Sequence, residues 1–352
     1  MQTWQTEKPR FLVKRVQKQA EIDINMKIAI VGLGAVGGLL AARLGSAGYE
    51  VSGLARGATL NAVREHGLRV VTDGRETVTR INVSADADSL GEQDLIIIAV
   101  KAPALAQAAL ALQPLLGPTT VVLPAMNGVP WWFLSTGASG AETPPLQSVD
   151  PHGRIAALLP LRHVLGCVVH LSCASPEPGL VKLGFADRLI IGEPAGGAPS
   201  ARVDMVCAAL AKAGFNAQPS HNLRRELWYK LWGNMTMNPV SALTGADSDR
   251  ILDDPLVREF MLRTMAEAAA IGAQIGCRVD ESGEQRLAVT RRLGGFKTSM
   301  LQDALAGRAL ELDALVSAVH EIGQRLGLAT PHIGALLGLT RLMARERGLY
   351  PL

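Results

Sequence analysis

"KIAIVGLGAVGGLLAARLGSAG", residues 27–48, decides the fold of the first half of the chain. The apolar run from Lys27 to Val31 reads as a short buried strand. It passes directly into Gly32-Leu33-Gly34-Ala35-Val36-Gly37, and a segment of helical composition then continues to Gly48. Strand, tight glycine turn and helix in this order are what the dinucleotide-binding fingerprint requires. Gly32 permits the turn, Gly34 lets a pyrophosphate approach the backbone, and Gly37 allows close helix packing. The N-terminus of that helix faces the anion.

The next strand, "EVSGLA" (50–55), selects the cofactor. A site for NAD places an Asp or Glu near its carboxyl end, about 20 residues past the glycines, on the ribose hydroxyls. Here the strand ends at Arg56, and no acid occurs from Val51 to Arg64. A guanidinium fork suits a 2′-phosphate, so the reading is NADP(H). The alternative for Arg56 is a solvated surface residue. Two further apolar strands, "DLIIIAVKA" (94–102) and "TTVVLPAMNG" (119–128), carry Lys101 and Asn127 to their carboxyl ends. Open parallel sheets bind ligands at that edge, so both residues are candidates for the ribose and nicotinamide of the cofactor. "VLGCVVHLSCAS" (164–175) and "RLIIGEP" (188–194) read as strands, and "SARVDMVCAALAKAG" (200–214) as a helix.

The 352 residues are long enough for two domains. A composition of 48% hydrophobic and 19% charged residues is that of a compact soluble protein. The net charge of +3, spread along the chain, makes no electrostatic case for nucleic acid. Residues 102–141 carry no charge, but Pro103, Pro114, Pro118, Pro124 and Pro130 interrupt them too often for a membrane helix. Cys167, Cys173, Cys207 and Cys277 form no CxxC pair and have no His at metal-ligand spacing. They read as reduced thiols of a cytoplasmic protein without a metal centre. Residues 1–25 lack the apolar core of a signal peptide and read as a disordered extension, or as an over-long start ahead of Met26.

From Arg224 onward the patterns have helical period, as in 255–276, 309–327 and 333–348. A doubly wound sheet followed by an all-helical domain implies a cleft between them that holds the reacting end of a nicotinamide. "RELWYKLWGNMTMNPVSALTGA" (225–246) carries Lys230, Asn234 and Asn238 at intervals that drift only roughly 80° around a helix. An unpartnered buried polar group costs about 1–3 kcal/mol, so something polar must meet this face. Blander roles exist: Glu226 and Lys230 have the spacing of a helix salt bridge, and Asn238 before Pro239 could end the helix. Trp131-Trp132 and Trp228-Trp232 read as core or pocket wall.

Taken together, "GLGAVGG", "VKA", the Asn-Gly pair, "RRELWYKLWGNMTMNPVSALTG" and "TSMLQDALAGRALELDAL" resemble the ketopantoate reductase (2-dehydropantoate 2-reductase) family over nearly all of residues 26–345. The resemblance implies an N-terminal Rossmann-type domain over 26–221 and a C-terminal helical domain over 222–352, where composition alone would cut near Gly197. It implies Lys230 as general acid, Asn234 and Asn238 as substrate-orienting amides, and Ser299 as a hydroxyl on the substrate carboxylate. Glu311 becomes an acid near the nicotinamide end, with Lys101 and Asn127 on the cofactor. His170 and Ser172 fall on a strand that passes the cofactor. The implied reaction is NADPH-dependent reduction of a 2-oxo acid, ketopantoate to pantoate first of all.

The chain departs from compact members of that family at three places. It inserts a longer segment, 130–163, which could act as a lid or reshape the pocket, and it has Ser248 and Phe296 where those members carry Asn. A different, bulkier or more apolar 2-oxo acid is therefore a second reading. An NADP-binding sensor without turnover is a third, opposed by the complete set of Lys230, Asn234, Asn238, Ser299 and Glu311. The apolar helices of the second domain could support a homodimer or serve as internal core.

Overall fold

The structure, a computed structural model, describes residues 25–135 and 143–351. Residues 1–24 of the N-terminal extension and residues 136–142 of the 130–163 insertion lie outside the described residues.

The first half alternates strands and helices. In order come β1 (Lys27–Val31), α1 (Ala35–Ser46), β2 (Glu50–Leu54), α2 (Gly57–His66), a hairpin of β3 (Leu68–Thr72) and β4 (Arg75–Thr79), and β5 (Asn82–Ser84). Then follow β6 (Gln93–Ile98), α3 (Leu105–Ala111), β7 (Leu116–Pro124), α4 (Arg154–Leu158), β8 (Gly166–Glu177), β9 (Leu180–Gly192), α5 (Ala201–Lys212) and β10 (Asn216–Pro219). Strands pair in parallel in the order β5-β2-β1-β6-β7. Counted along the sheet this is the 3-2-1-4-5 arrangement of a Rossmann-type fold, whose ligand site lies beyond the carboxyl ends of β1 and β6.

The residues explain the sheet. β1 and β6 are central, so Ile28–Val31 and Leu95–Ile98 are buried on both faces, which is why they read as continuous apolar runs. Successive side chains still alternate: Ile28 and Ile30 join the core under α1 and α5, while Ala29 and Val31 face the core under α3. A parallel bridge between Val122 and Val164 carries the chain past the edge of this sheet. β8 then leaves it for a second sheet of order β10-β9-β3-β4, in which β8 lies antiparallel to β9.

The second half is helical: α6 (Leu223–Thr244), α7 (Ser248–Asp253), α8 (Pro255–Gln274), α9 (Gly283–Arg291), α10 (Ser299–Leu305), a π turn at Asp313–Ser317, α11 (Ala318–Arg325) and α12 (Pro331–Glu346). The helical pattern over 309–327 is realised as one unbroken helical run over 312–325, wound as a π turn over Asp313–Ser317. α6 starts at Asn222, whose side chain accepts from the Arg225 amide at 3.2 Å, and stops at Gly245 in the left-handed region at φ 71°. Pro239 does not end it, contrary to the alternative drawn from Asn238-Pro239. An internal proline costs a helix about 3 kcal/mol. That cost is outweighed by burial of Met235, Met237, Val240 and Ala242 against the helices around α6.

One apolar cluster runs from the α3 face of the first sheet through Trp131, Trp132 and Phe133 into Leu227, Trp228 and Trp232 of α6. Phe133 stacks on Trp228 with ring centroids 5.9 Å apart, and the Trp232 indole donates to the Met265 carbonyl at 2.7 Å. The insertion is thus part of the seam between sheet and helices, and its described portion is not a loose lid.

Candidate active site

The glycine turn is shaped by three separate constraints. Gly32 lies at φ 93°, and a Cβ there would come within 2.8 Å of Val100 Cγ1. A Cβ on Gly37 would stand 1.9 Å from the Gly32 carbonyl oxygen, so α1 can pack this closely only through glycine. A Cβ on Gly34 would meet nothing within 4 Å; the space above this exposed residue is open. Leu33 is buried and packs on Gly53, while Ala35 and Val36 open α1 half-buried. The first turn of α1 has no acidic residue and no side-chain cap, so its amides remain for an anion. Arg56 stands two residues past β2, at the N-cap of α2, exposed and without an ion pair among the described residues. This cradle fits the pyrophosphate and adenosine end of a dinucleotide.

At the next strand end, Lys101 is paired with Asp303 of α10, and Asp303 also accepts from Arg308 Nε at 2.9 Å. Lys101 remains 41% exposed. The Glu311 carboxylate accepts from the Ala102 amide at 3.0 Å. Burial raises the Glu311 pKa, opposed by that amide and by Lys101 and Lys230, while Asp303 adds to the rise. Beyond β7, Gly128 (φ 89°) lies flat on Ala314, which a Cβ would approach to 2.6 Å, and the Val129 amide donates to the Ala314 carbonyl at 2.8 Å. The Asn-Gly turn is therefore the hinge point at which the helical half sits on the sheet.

Lys230 projects from α6 into this seam. Its ammonium donates to Asn127 Oδ1 at 2.6 Å and to the Val169 carbonyl of β8. Burial draws its pKa down to about 8, against the opposing pull of Cys167 and Glu311. Burial also pushes the Cys167 thiol up to about 12, so it stays protonated. His170, the residue after Val169, is held at about 4 by burial and by the cations Lys230, Arg188 and Arg286, and is neutral at pH 7.

Lys230, Asn234, Asn127 and Gly128 line one small cavity with Met126 and Val169. Asn238 is buried one turn further along, and Ser299 is exposed at the start of α10, which packs on α6. Neither Asn238 nor Ser299 lines that cavity. The side chains of Asn234 and Asn238 make no hydrogen bond among the described residues.

A second cavity of about 240 Å³ adjoins the first across Met126, Asn127, Gly128 and Leu227. Its wall includes Leu105, Trp131, Trp132 and Ile155, with Glu311 at one side. The insertion supplies much of that wall and is tied down from α11. Glu321 accepts from the Gln147 and Ser148 amides at 2.8 Å and from Ser148 Oγ at 2.6 Å. Arg325 donates to the carbonyls of Pro144 and Pro145 at 2.6 and 2.5 Å. Ser248 is committed elsewhere: its hydroxyl donates to the Gly294 carbonyl and accepts from the Phe296 amide, both at 3.0 Å.

Sequence reasoning missed Cys167, Asp303 and the Val169 carbonyl as parts of this site. Asp303 stands inside the "TSMLQDALAGRALELDAL" segment, but its pairing with Lys101 joins two halves of the chain and has no signal in spacing.

Residues 28–196 match the family description "Ketopantoate reductase PanE/ApbA", and residues 222–344 match its C-terminal counterpart. The chain is 42% identical to a 2-dehydropantoate 2-reductase of Mesorhizobium japonicum over 92% of its own length and 100% of the relative's. A solved structure from Ralstonia solanacearum is 57% identical, with a TM-score of 0.89 over 92% of this chain and 99% of that one. A D-mandelate dehydrogenase solved with NADH and anilino(oxo)acetate is 22% identical and shares the fold, with a TM-score of 0.79 over 92% of this chain and 100% of that one. The glycine cradle, the seam at Asn127 and the two matched regions lead to one conclusion: this chain belongs to the ketopantoate reductase family of nicotinamide-dependent oxidoreductases acting on CH–OH groups.

Proposed function

We propose that the protein reduces a 2-oxo acid to the 2-hydroxy acid with NADPH, with ketopantoate to pantoate as the first candidate and Lys230 as general acid. The observation that carries this reading is the Lys230 ammonium, seated on Asn127 and the Val169 carbonyl and drawn by burial to a pKa of about 8. Such an acid is mostly protonated at pH 7 and yet parts with its proton readily.

NADPH, when bound, supplies a hydride to the carbonyl carbon. Negative charge then gathers on the carbonyl oxygen, and Lys230 stabilises that charge more than the ground state. Its proton completes the hydroxyl and leaves a neutral amine, so one hydride and one proton are consumed per turnover. Asn234 orients the oxo acid beside it, with Asn238 and Ser299 further along the same cleft.

The residues that would hold the cofactor are the turn from Gly32 to Gly37 for the pyrophosphate and Arg56 for the 2′-phosphate. Lys101, Asn127 and Glu311 would meet the nicotinamide riboside. The unpaired, exposed Arg56 just past β2 supports NADPH over NADH. We place the division of labour at His221, with 26–221 binding cofactor and 222–352 presenting substrate. The four free cysteines agree with a cytoplasmic setting.

The test is NADPH oxidation, followed by absorbance, with ketopantoate and a panel of other 2-oxo acids. Ketopantoate leading the panel supports the proposal in full, and no turnover with any acid sinks it. The 240 Å³ cavity behind Asn127, walled by Trp131, Trp132 and Ile155, supports a second reading in which a more apolar oxo acid leads.

A further inference from the structure

A glycine inside a helix is unfavourable relative to alanine, so Gly233 in the middle of α6 needs a reason. The space its side chain would fill holds the Arg286 guanidinium: a Cβ on Gly233 would stand 2.6 Å from Nη2, 2.8 Å from Cζ and 3.0 Å from Nε. Arg286 comes from α9 and lies over the Tyr229 ring, 5.5 Å from its centroid. On a wheel of 100° per residue, Gly233 falls about 60° from Lys230 and directly precedes Asn234. The guanidinium therefore sits along the edge of the Lys230–Asn234 stripe, and its charge helps depress the His170 pKa.

The charge is poorly matched by the protein. Nη1 donates to Thr290 Oγ1 at 3.2 Å, and Nε is buried with no partner. No carboxylate forms an ion pair with it among the described residues; Glu281 takes the Tyr229 hydroxyl at 2.8 Å and acts on the guanidinium only from a distance. Desolvation lowers the Arg286 pKa and outweighs the opposing pull of Tyr229 and Glu281, so the cation is only partly compensated. A fork with open donors, held against Gly233 and over the Tyr229 ring on the turns of α6 that flank the proposed proton donor, matches a carboxylate in geometry and charge.

We propose that Arg286 binds the carboxylate of the 2-oxo acid, with Gly233 the gap that admits it. This rests on the 2-oxo acid reductase reading above and adds the group that distinguishes an oxo acid from a neutral ketone. Ser299 would then supplement a charged anchor in place of carrying the carboxylate alone.

The experiment compares wild type, Arg286→Met, Arg286→Lys and Gly233→Ala on an oxo acid and on the neutral ketone with methyl in place of its carboxylate. Loss of a charge-assisted hydrogen bond predicts a KM for the acid raised about 10- to 100-fold in Arg286→Met, with Arg286→Lys intermediate. The KM for the neutral ketone and the Kd for NADPH stay within about twofold. Gly233→Ala displaces the guanidinium while improving helix propensity, so it raises the acid's KM without lowering Tm; this arm decides the matter where Arg286→Met does not fold. Acid and ketone shifting together, or an unchanged KM for the acid in an active enzyme, overturns the assignment alone. A weakened NADPH Kd with an unchanged KM for the acid assigns Arg286 to a cofactor phosphate and overturns it too. Wild type inactive on every oxo acid overturns the proposed function, and the assignment falls with it.

Discussion

Lys230 and Asn127, 103 positions apart in the chain, meet at 2.6 Å with the ammonium donating to the amide oxygen. That bond ties α6 to the turn beyond β7. The proposed proton donor and the sheet edge proposed to receive the nicotinamide are thereby held in one geometry, where a misplacement of about 1 Å can cost on the order of 10²-fold in rate.

Removing the donor should separate chemistry from binding. Lys230→Ala is expected to lower kcat by about 10²–10⁴-fold, the usual worth of a positioned general acid, with NADPH binding retained. Lys230→Arg restores charge without a transferable proton and should recover little of the loss. Stopped-flow absorbance and fluorescence titration with NADPH check both halves. Full activity in Lys230→Ala would rule out the assigned role.

The pH dependence follows from the lowered Lys230 pKa. Reduction needs the protonated amine, so kcat/KM for the oxo acid should fall as pH rises through about 8, and oxidation of the hydroxy acid should rise through the same region. Stability has its own sign. Between about pH 8 and the unfolded value of roughly 10.4 the unfolded chain binds more protons, so this group's contribution to stability increases with pH there. Lys230→Met should abolish both effects.

Arg56 is testable against two cofactors. Arg56→Ala should raise the KM for NADPH by about 10- to 100-fold, as expected for a lost charged hydrogen-bond pair, and leave NADH nearly unchanged. Equal losses with both cofactors would mean that Arg56 does not read the 2′-phosphate.

The glycine turn offers a pair with opposite outcomes. Gly34→Ala projects into open space at an allowed φ of −77°, so the fold should keep its Tm while NADPH binding weakens. Gly37→Ala places a Cβ at 1.9 Å from the Gly32 carbonyl oxygen, so Tm itself should fall, with overpacking of this kind costing about 1–3 kcal/mol. Calorimetry and cofactor titration on the two variants distinguish approach from packing.

Glu321 should govern the insertion. Burial alone would raise its pKa, but the bonds from Ser148, Gln147 and Arg325 lower it overall. Its contribution to stability is therefore present above the unfolded carboxylate value near roughly 4.3 and is lost as pH falls through the lower folded value. Glu321→Ala leaves the Gln147 and Ser148 donors unpaired, at about 1–3 kcal/mol, and should speed proteolysis within 143–150. Unchanged cleavage would mean that the Arg325 bonds suffice.

The sequence by itself determined the parts whose cause is local. Gly32, Gly34 and Gly37 are dictated by one turn, the apolar runs of β1 and β6 by burial on both faces, and the shared face of Lys230 and Asn234 by helical period. Tertiary structure decided what depends on distant partners. Pro239 stays inside α6 because neighbouring helices supply the packing it loses, which no local rule contains. Lys101 pairs with Asp303, and Ser248 is spent on the Phe296 loop, because chain segments far apart in sequence meet there. Trp131 and Trp132 read as core or pocket wall and are buried together with Phe133, but the helix that covers them is encoded roughly a hundred residues later and no local pattern names it. Spacing records what one element does to itself. The charge, burial and proton affinity of Lys230 are set by Val169, Asn127, Cys167 and Glu311, which only the folded chain brings together.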